Sequence, residues 1–274
     1  MATFTNQATL SYNGRSTNSN IATGELIDLL TATKTAVADS YRPGDEITYA
    51  VSVVNTDTTP YNGITLADDL GGGANAPLTY VDGSLRLFID GELQPTPATA
   101  NTAPLSLTGI SVPVGSNALI LYQATVNNYA SPEPGSTLTN TVTVAAGGST
   151  TTAAATLPIA EAADLAISKS ISPTTVRENG RVTYTFTVFN YGNSPVTADG
   201  DAVITDTFAP VLSDLAVAFN GAAWTEGTNY TYTGGTFTTL PGQITVPAAT
   251  FTQSPTGEYV TTPGVSTLTV TGTL

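Results

Sequence analysis

The chain has 274 residues, more than a single β-sandwich of roughly 100 residues requires, so two domains and a short extra segment are the natural division. It carries no Cys and no His, which removes disulfides, thiolate nucleophiles, imidazole bases and the common zinc-ligand sets; a turnover enzyme, a metal site and a cofactor are all unexpected. With 7 Lys and Arg against 21 Asp and Glu, the formal charge of −14 opposes binding to nucleic acid and to anionic lipid.

Met1 leads directly into Ala-Thr-Phe-Thr without the basic and apolar regions of a secretion signal, and no stretch approaches the ~20 apolar residues of a membrane span. Membrane insertion is not expected. If the protein is exported, either a leader has been replaced by Met1 or it leaves the cell by another route, such as release when the mother cell of a spore lyses.

Alternation of apolar and polar residues with period 2 recurs along the chain, the mark of half-buried strands. It is clear in Ile47-Thr-Tyr-Ala-Val-Ser-Val53, in Ala118-Leu-Ile-Leu-Tyr-Gln-Ala-Thr-Val126, in Val182-Thr-Tyr-Thr-Phe-Thr-Val188 and in the closing run from Thr267 to Leu274. Gly and Pro clusters punctuate these runs, and Asp90-Gly91 and Asn220-Gly221 are favourable two-residue hairpin turns. No long helix is expected. The fold class is all-β.

An internal repeat divides the chain. Ile47-Thr-Tyr-Ala-Val-Ser-Val-Val-Asn55 aligns without a gap on Val182-Thr-Tyr-Thr-Phe-Thr-Val-Phe-Asn190, and Lys34 falls on Lys169 at the same spacing of 135 residues. Asp68 after Ile64-Thr-Leu-Ala matches Asp206 after Ala202-Val-Ile-Thr; the run from Leu107 to Pro113 matches that from Leu240 to Pro247; and Leu268-Thr-Val-Thr matches Leu119-Ile-Leu-Tyr. Two tandem immunoglobulin-like β-sandwiches are expected, over residues 26–160 and 161–274, after an N-terminal segment of residues 1–25.

These residues resemble a repeat family of bacterial surface proteins, the domain of unknown function numbered eleven. Asp164-Leu165, Lys169, Tyr184, Asn190 and Asp206 carry the likeness in the second domain, and Lys34, Tyr49, Asn55, Asp68 and Asn140 in the first. The resemblance implies a sandwich fold, a structural role at the cell surface, on a spore for example, or outside the cell, and no catalytic activity.

The two repeats end differently. The first closes with a hairpin, Leu138-Thr-Asn-Thr-Val-Thr-Val-Ala-Ala-Gly-Gly-Ser-Thr-Thr151, whereas the second stops at Leu274 without one. Its counterpart stands at the start of the chain, where Phe4, Asn6, Ala8 and Leu10 fall on Leu138, Asn140, Val142 and Val144. A sandwich lacking its last strands presents an open edge and an apolar slot, and donation of a strand is an established way to fill both. A connector from about Ala22 to Asp28 spans at most ~25 Å, against ~35–40 Å for the domain between, so donation to a neighbour is expected rather than self-filling. Such a head-to-tail contact between identical subunits builds an open fibre.

The chain's two lysines, Lys34 and Lys169, occupy equivalent positions, as do Asn140 and Asn6, and Asp68 and Asp206. Each completed domain would hold one Lys, one Asn and one Asp, the groups of the isopeptide bonds found in adhesin and pilus sandwiches. The roles are amine nucleophile, amide electrophile and a carboxyl to shuttle protons. The same residues also suit a plain Lys–Asp ion pair with Asn bonded to backbone.

Two functions follow as expectations: a self-assembling filament subunit, or a monomeric adhesin-type module presenting loops such as 91–106 or 227–235 to a glycan or protein. Asp68, Asp69, Asp199 and Asp201 fit no EF-hand spacing, and Tyr12, Tyr41, Tyr61 and Trp224 are expected mostly to pack rather than to bind glycans.

Overall fold

The computed structural model describes residues 2–26 and 30–274, and every regular element among them is a strand. No helix long and apolar enough to cross a membrane occurs among the described residues.

The chain opens with a ribbon of four short strands, β1 (Ala2–Asn6), β2 (Thr9–Tyr12), β3 (Arg15–Asn18) and β4 (Ala22–Leu26). Asn13 and Gly14 close it with φ of 49° and 78°, a primed turn whose twist matches that of paired strands. From that turn the pairing runs through Tyr12 opposite Arg15 to Thr9 opposite Asn18, then resumes from Asn6 opposite Ala22 to Ala2 opposite Leu26. Ser19 bridges the step between the two halves: its N–H donates to the Ala8 carbonyl at 2.8 Å and its hydroxyl accepts from the Ala8 N–H at 3.0 Å. The Phe4 ring covers Gly24 on the facing strand. Residues 22–26 are therefore strand rather than connector, because the turn fixes a register that carries pairing that far. Residues 27 and 28 of the expected connector lie outside the described residues.

The first sandwich contains β5 (Leu30–Ala36), β6 (Glu46–Asn55), β7 (Tyr61–Asp68), β8 (Leu78–Tyr80), β9 (Arg86–Ile89), β10 (Glu92–Gln94), β11 (Ala98–Thr102), β12 (Leu105–Val112), β13 (Asn117–Val126), β14 (Thr137–Ala146) and β15 (Ser149–Pro158). One sheet runs β10-β9-β13-β6-β5, with β8 also on β13; the other runs β11-β12-β7-β14-β15. Alternate residues of β6, β13 and β14 point inward, so Ile47, Tyr49, Val51, Ile120, Tyr122, Val142 and Val144 are all buried between the sheets.

The second sandwich contains β16 (Leu165–Ser172), β17 (Arg181–Asn190), β18 (Thr205–Thr207), β19 (Ser213–Phe219), β20 (Ala222–Trp224), β21 (Tyr230–Thr233), β22 (Thr236–Thr239), β23 (Thr250–Gln253), β24 (Tyr259–Thr262) and β25 (Gly264–Thr273). Its sheets run β16-β17-β25-β19-β20 and β18-β22-β21, with β23 and β24 as a separate hairpin. Val182, Phe186, Phe208, Phe237, Leu268 and Val270 are among the residues of its core. Both expected two-residue turns form, with Asp90-Gly91 and Asn220-Gly221 at positive φ between paired strands.

Two expectations are corrected. Most of residues 91–106, and residues 230–233 within 227–235, are strand in hairpins rather than free loop, because alternating Thr, Leu and Tyr there find pairing partners. The match of Leu268 to Leu119 is also one residue out of step. Ile120 pairs with Val51, and Leu268 with Phe186 at the position of Val51 in the repeat, so Leu268 corresponds to Ile120. A slip of one residue exchanges the two faces of a strand, and it is Ile120 and Leu268 that are buried.

Candidate functional site

The repeat places its Asn, Lys and Asp on the inward faces of the sandwiches, and the three types do different things. Asn55 and Asn190 are fully buried corner clamps. Asn55 Nδ2 donates to the carbonyls of Thr59, Val112 and Pro113 at 3.0, 3.1 and 2.9 Å, and its Oδ1 accepts from the Asp57 N–H. Asn190 Nδ2 likewise donates to Ser194 and Pro247, while its Oδ1 takes the Gly192 N–H. This Asn is structural in both repeats.

In the first sandwich β5, β7, β13 and β14 bring Lys34, Asp68, Tyr122 and Asn140 together. Lys34 Nζ lies 2.6 Å from Asp68 Oδ2, with both side chains wholly removed from solvent. The Tyr122 hydroxyl donates to that same Oδ2, and Asn140 Nδ2 donates to the Tyr122 oxygen at 3.2 Å. The other carboxylate oxygen, Oδ1, accepts the Leu70 N–H at 3.1 Å. Tyr49 stacks on Tyr122 with ring centroids 5.6 Å apart, and the Lys34 ammonium sits 5.0 Å from the Tyr49 ring.

Burial lowers the Lys34 pKa, Asp68 working in the opposite sense. Burial pushes the hydroxyls of Tyr49 and Tyr122 well above the usual tyrosine value of 10.0, with Asp68 adding to both shifts. Two buried polar atoms at this site, the Tyr49 hydroxyl and Asn140 Oδ1, make no hydrogen bond, one a potential donor and the other an acceptor. A buried polar group left unsatisfied is costly.

In the second sandwich Lys169 Nζ and Asp206 Oδ2 pair in the same way, and the ammonium lies against Tyr184, Phe186 and Phe208. The environment is open, however. Lys169, Leu165, Ile167 and Ile171 form the inward stripe of β16, and every residue of that strand is exposed. Leu165 is 45% exposed, where its counterpart Leu30 is 6%. In the first sandwich β7 is flanked by β12 and β14; in the second its counterpart β18 pairs with β22 and ends its sheet.

The N-terminal ribbon supplies the remaining expected residue, Asn6, at the end of β1. Among the described residues, none of the ribbon's strands pairs with a strand of either sandwich. Phe4, Ala8, Leu10 and Tyr12 are all exposed, Leu10 at 68%. Sequence reasoning missed Tyr122 as a member of the site. The signal was its place opposite Tyr49 on the neighbouring strand, which becomes legible only once the register is known.

Of the aromatic residues considered for glycan binding, Tyr41 is buried and donates to the Ser131 carbonyl, Tyr61 donates to Asp57, and Trp224 stacks on Phe219.

No family model matches the chain, and no curated protein matches it. Among solved structures, the chain is similar to BcpA, the major pilin subunit of Bacillus cereus, at 10% identity and a TM-score of 0.38, over 96% of this chain and 73% of that one. It is similar to the pilus backbone protein RrgB from Streptococcus pneumoniae at 13% identity and a TM-score of 0.37, over 85% and 55%. It is similar to the collagen adhesin CNA from S. aureus at 12% identity and a TM-score of 0.32, over 54% and 55%. The chain spans about half the length of the last two.

Proposed function

We propose that the protein is a structural subunit of a filament at the cell surface or outside the cell, polymerising head to tail by donating its N-terminal ribbon to the second sandwich of an identical neighbour. One observation carries this reading. The inward stripe of β16 and the outer edge of β18 are open, while in the first sandwich Leu30 and Lys34 on the stripe of β5 are buried and the edge of β7 is paired with β14.

The ribbon fits that place by its own geometry. Its turn, Asn13-Gly14, has the same sense as Gly147-Gly148, whose φ are 56° and 88°. In the first sandwich Val142 pairs with Asp68, Thr143 with Ala67 and Val144 with Leu66. The same register sets Ala8 opposite Asp206, Thr9 opposite Thr205 and Leu10 opposite Ile204, with Phe4, Ala8 and Leu10 as the apolar anchors. Main-chain bonds to β18 give affinity and alternate side chains fix register.

Seating the ribbon brings Asn6 to Lys169 and Asp206 and so repeats the trio of Lys34, Asp68 and Asn140. In this reading each trio can form a Lys–Asn isopeptide bond, within the subunit at the first site and between subunits at the second, expelling one ammonia each time. Electron microscopy tests the donation: the intact chain forms fibres, and the same chain without residues 1–24 stays monomeric. Fibres from the shortened chain rule donation out, and monomers from the intact chain as well leave the adhesin-type module.

A further inference from the structure

The two lysine sites are not chemical copies of one another. In the first, a continuous line of polar atoms runs from Lys34 Nζ to Asp68 Oδ2, on to the Tyr122 hydroxyl, and from there to Asn140 Nδ2. Its two ends are the amine that would attack and the nitrogen that would leave. Asp68 makes no direct hydrogen bond to Asn140; the Tyr122 oxygen is the only atom hydrogen-bonded to both, among the described residues.

In the second sandwich the position opposite Tyr184 belongs to Val270, as the position opposite Tyr49 belongs to Tyr122. The lost ring is made good from another strand end. Phe208 follows Asp206 by two residues, as Leu70 follows Asp68, and stacks on Tyr184 with centroids 4.9 Å apart. Tyr122 with Leu70 has thus been exchanged for Val270 with Phe208. The exchange keeps an aromatic ring against the conserved tyrosine position and removes the hydroxyl. It also removes the clamp on the carboxylate, because the Phe208 N–H donates to the Gly235 carbonyl whereas the Leu70 N–H donates to Asp68.

We propose that the Tyr122 hydroxyl is the catalytic proton relay for bond formation between Lys34 and Asn140, and that the second site, with Val270 in its place, forms its bond much more slowly. The proposal rests on the isopeptide reading above. In the first step the proton shared by Lys34 and Asp68 goes to the carboxyl, leaving a neutral amine. The amine attacks Asn140 Cγ, leaving an excess proton on Nζ. Asp68 gives its proton to the Tyr122 oxygen as the tyrosine gives its own to Nδ2, and the carboxylate so formed takes the excess proton from Nζ. The C–Nδ2 bond then breaks, the new amide carries one hydrogen on Nζ, and ammonia leaves. No oxidant or further reactant is needed, and Tyr122 ends as it began. The buried Tyr49 hydroxyl, next to Asn140, is placed among the same groups to donate to the amide oxygen as charge builds on it. Its counterpart Tyr184 is retained, so the relay is what distinguishes the sites.

The consequence is a subunit locked internally on folding, whose joints to its neighbours stay reversible during growth. The test is a time course of intact mass on freshly translated full-length protein. Wild type is expected to lose the mass of one ammonia, and Tyr122→Phe, which keeps the ring, to lose it on the order of 10²–10⁴-fold more slowly. A second variant, Val270→Tyr with Phe208→Leu, restores the hydroxyl at the other site and is expected to convert wild-type fibres that dissociate in hot detergent into fibres that survive it. Equal rates in wild type and Tyr122→Phe overturn the relay while leaving the isopeptide standing. No loss of ammonia in wild type overturns the isopeptide and the relay with it. Restored fibres that dissociate as readily as wild type overturn the account of the second site.

Discussion

Lys34 and Lys169 occupy the same register position, opposite Val51 and Phe186 on the neighbouring strand, yet the side chain of Lys34 is 0% exposed and that of Lys169 is 40% exposed. In the proposed reading the difference is a hairpin that covers one and has yet to be supplied to the other. With only two lysines in the chain, it is directly readable. In the shortened chain lacking residues 1–24, an amine-reactive label is expected to modify Lys169 and leave Lys34 untouched. In fibres of the intact chain both are expected to be protected, as peptide mapping would show. Labelling of Lys169 at an unchanged rate in fibres would mean that nothing covers β16 there.

The anchors of the ribbon should matter to assembly and not to the subunit's own fold. Burying a side chain the size of Leu or Phe contributes roughly 1.5–3 kcal/mol, on the order of 10–150-fold in affinity. Leu10→Asp removes that contribution and places a charge in an apolar slot. The expected result is a critical concentration for fibre growth raised by at least that factor, with the melting temperature of the monomer unchanged.

The Asn55 clamp predicts the opposite pattern. Asn55→Ala deletes hydrogen bonds to three carbonyls and one N–H at a fully buried corner. Each buried group left unsatisfied costs about 1–3 kcal/mol, so thermal unfolding should show a large loss of stability in the first sandwich. Asn190→Ala should do the same to the second. Ribbon donation by a folded Asn55→Ala subunit should be unaffected.

The buried tyrosines set an alkaline limit. Tyr49 and Tyr122 have pKa values raised by burial above the 10.0 of the unfolded chain. Above pH 10 the unfolded chain releases these protons and the folded chain retains them, so the unfolded state binds fewer protons and stability falls as pH rises. Melting temperatures taken from about pH 8 to about pH 11 should decline beyond pH 10 in wild type and more shallowly in Tyr122→Phe. A parallel decline in the two proteins would show that Tyr122 carries none of the effect.

Much of this architecture is legible in the sequence, for particular reasons. The period-2 runs through Tyr49 and Tyr184 are long and flanked by turn residues, so strand type, alignment and burial follow together. The displaced hairpin is legible because Asn13-Gly14 and Gly147-Gly148 both demand primed turns at the same distance from Asn6 and Asn140. The register of the strand containing Leu268 is not legible, since its Thr-Leu-Thr-Val alternation fits Leu119 or Ile120 about equally and only cross-strand pairing decides. The exchange of Tyr122 and Leu70 for Val270 and Phe208 is invisible to alignment, because a ring supplied from another strand leaves no trace at the position it replaces.

The chain contains no cysteine, which permits the most direct test of donation. Under ribbon donation, the register of β14 on β7 would set Thr9 of one subunit opposite Thr205 of the next, a separation a disulfide spans. With Thr9→Cys and Thr205→Cys in one chain, oxidation of assembled protein should give a ladder of covalent multimers on non-reducing denaturing electrophoresis, collapsed by reductant. The same ladder should be absent when Thr205 is left intact. A product that runs as a monomer with an internal disulfide would show that each subunit fills its own second sandwich, and no disulfide at all would contradict the placement of the ribbon on β18.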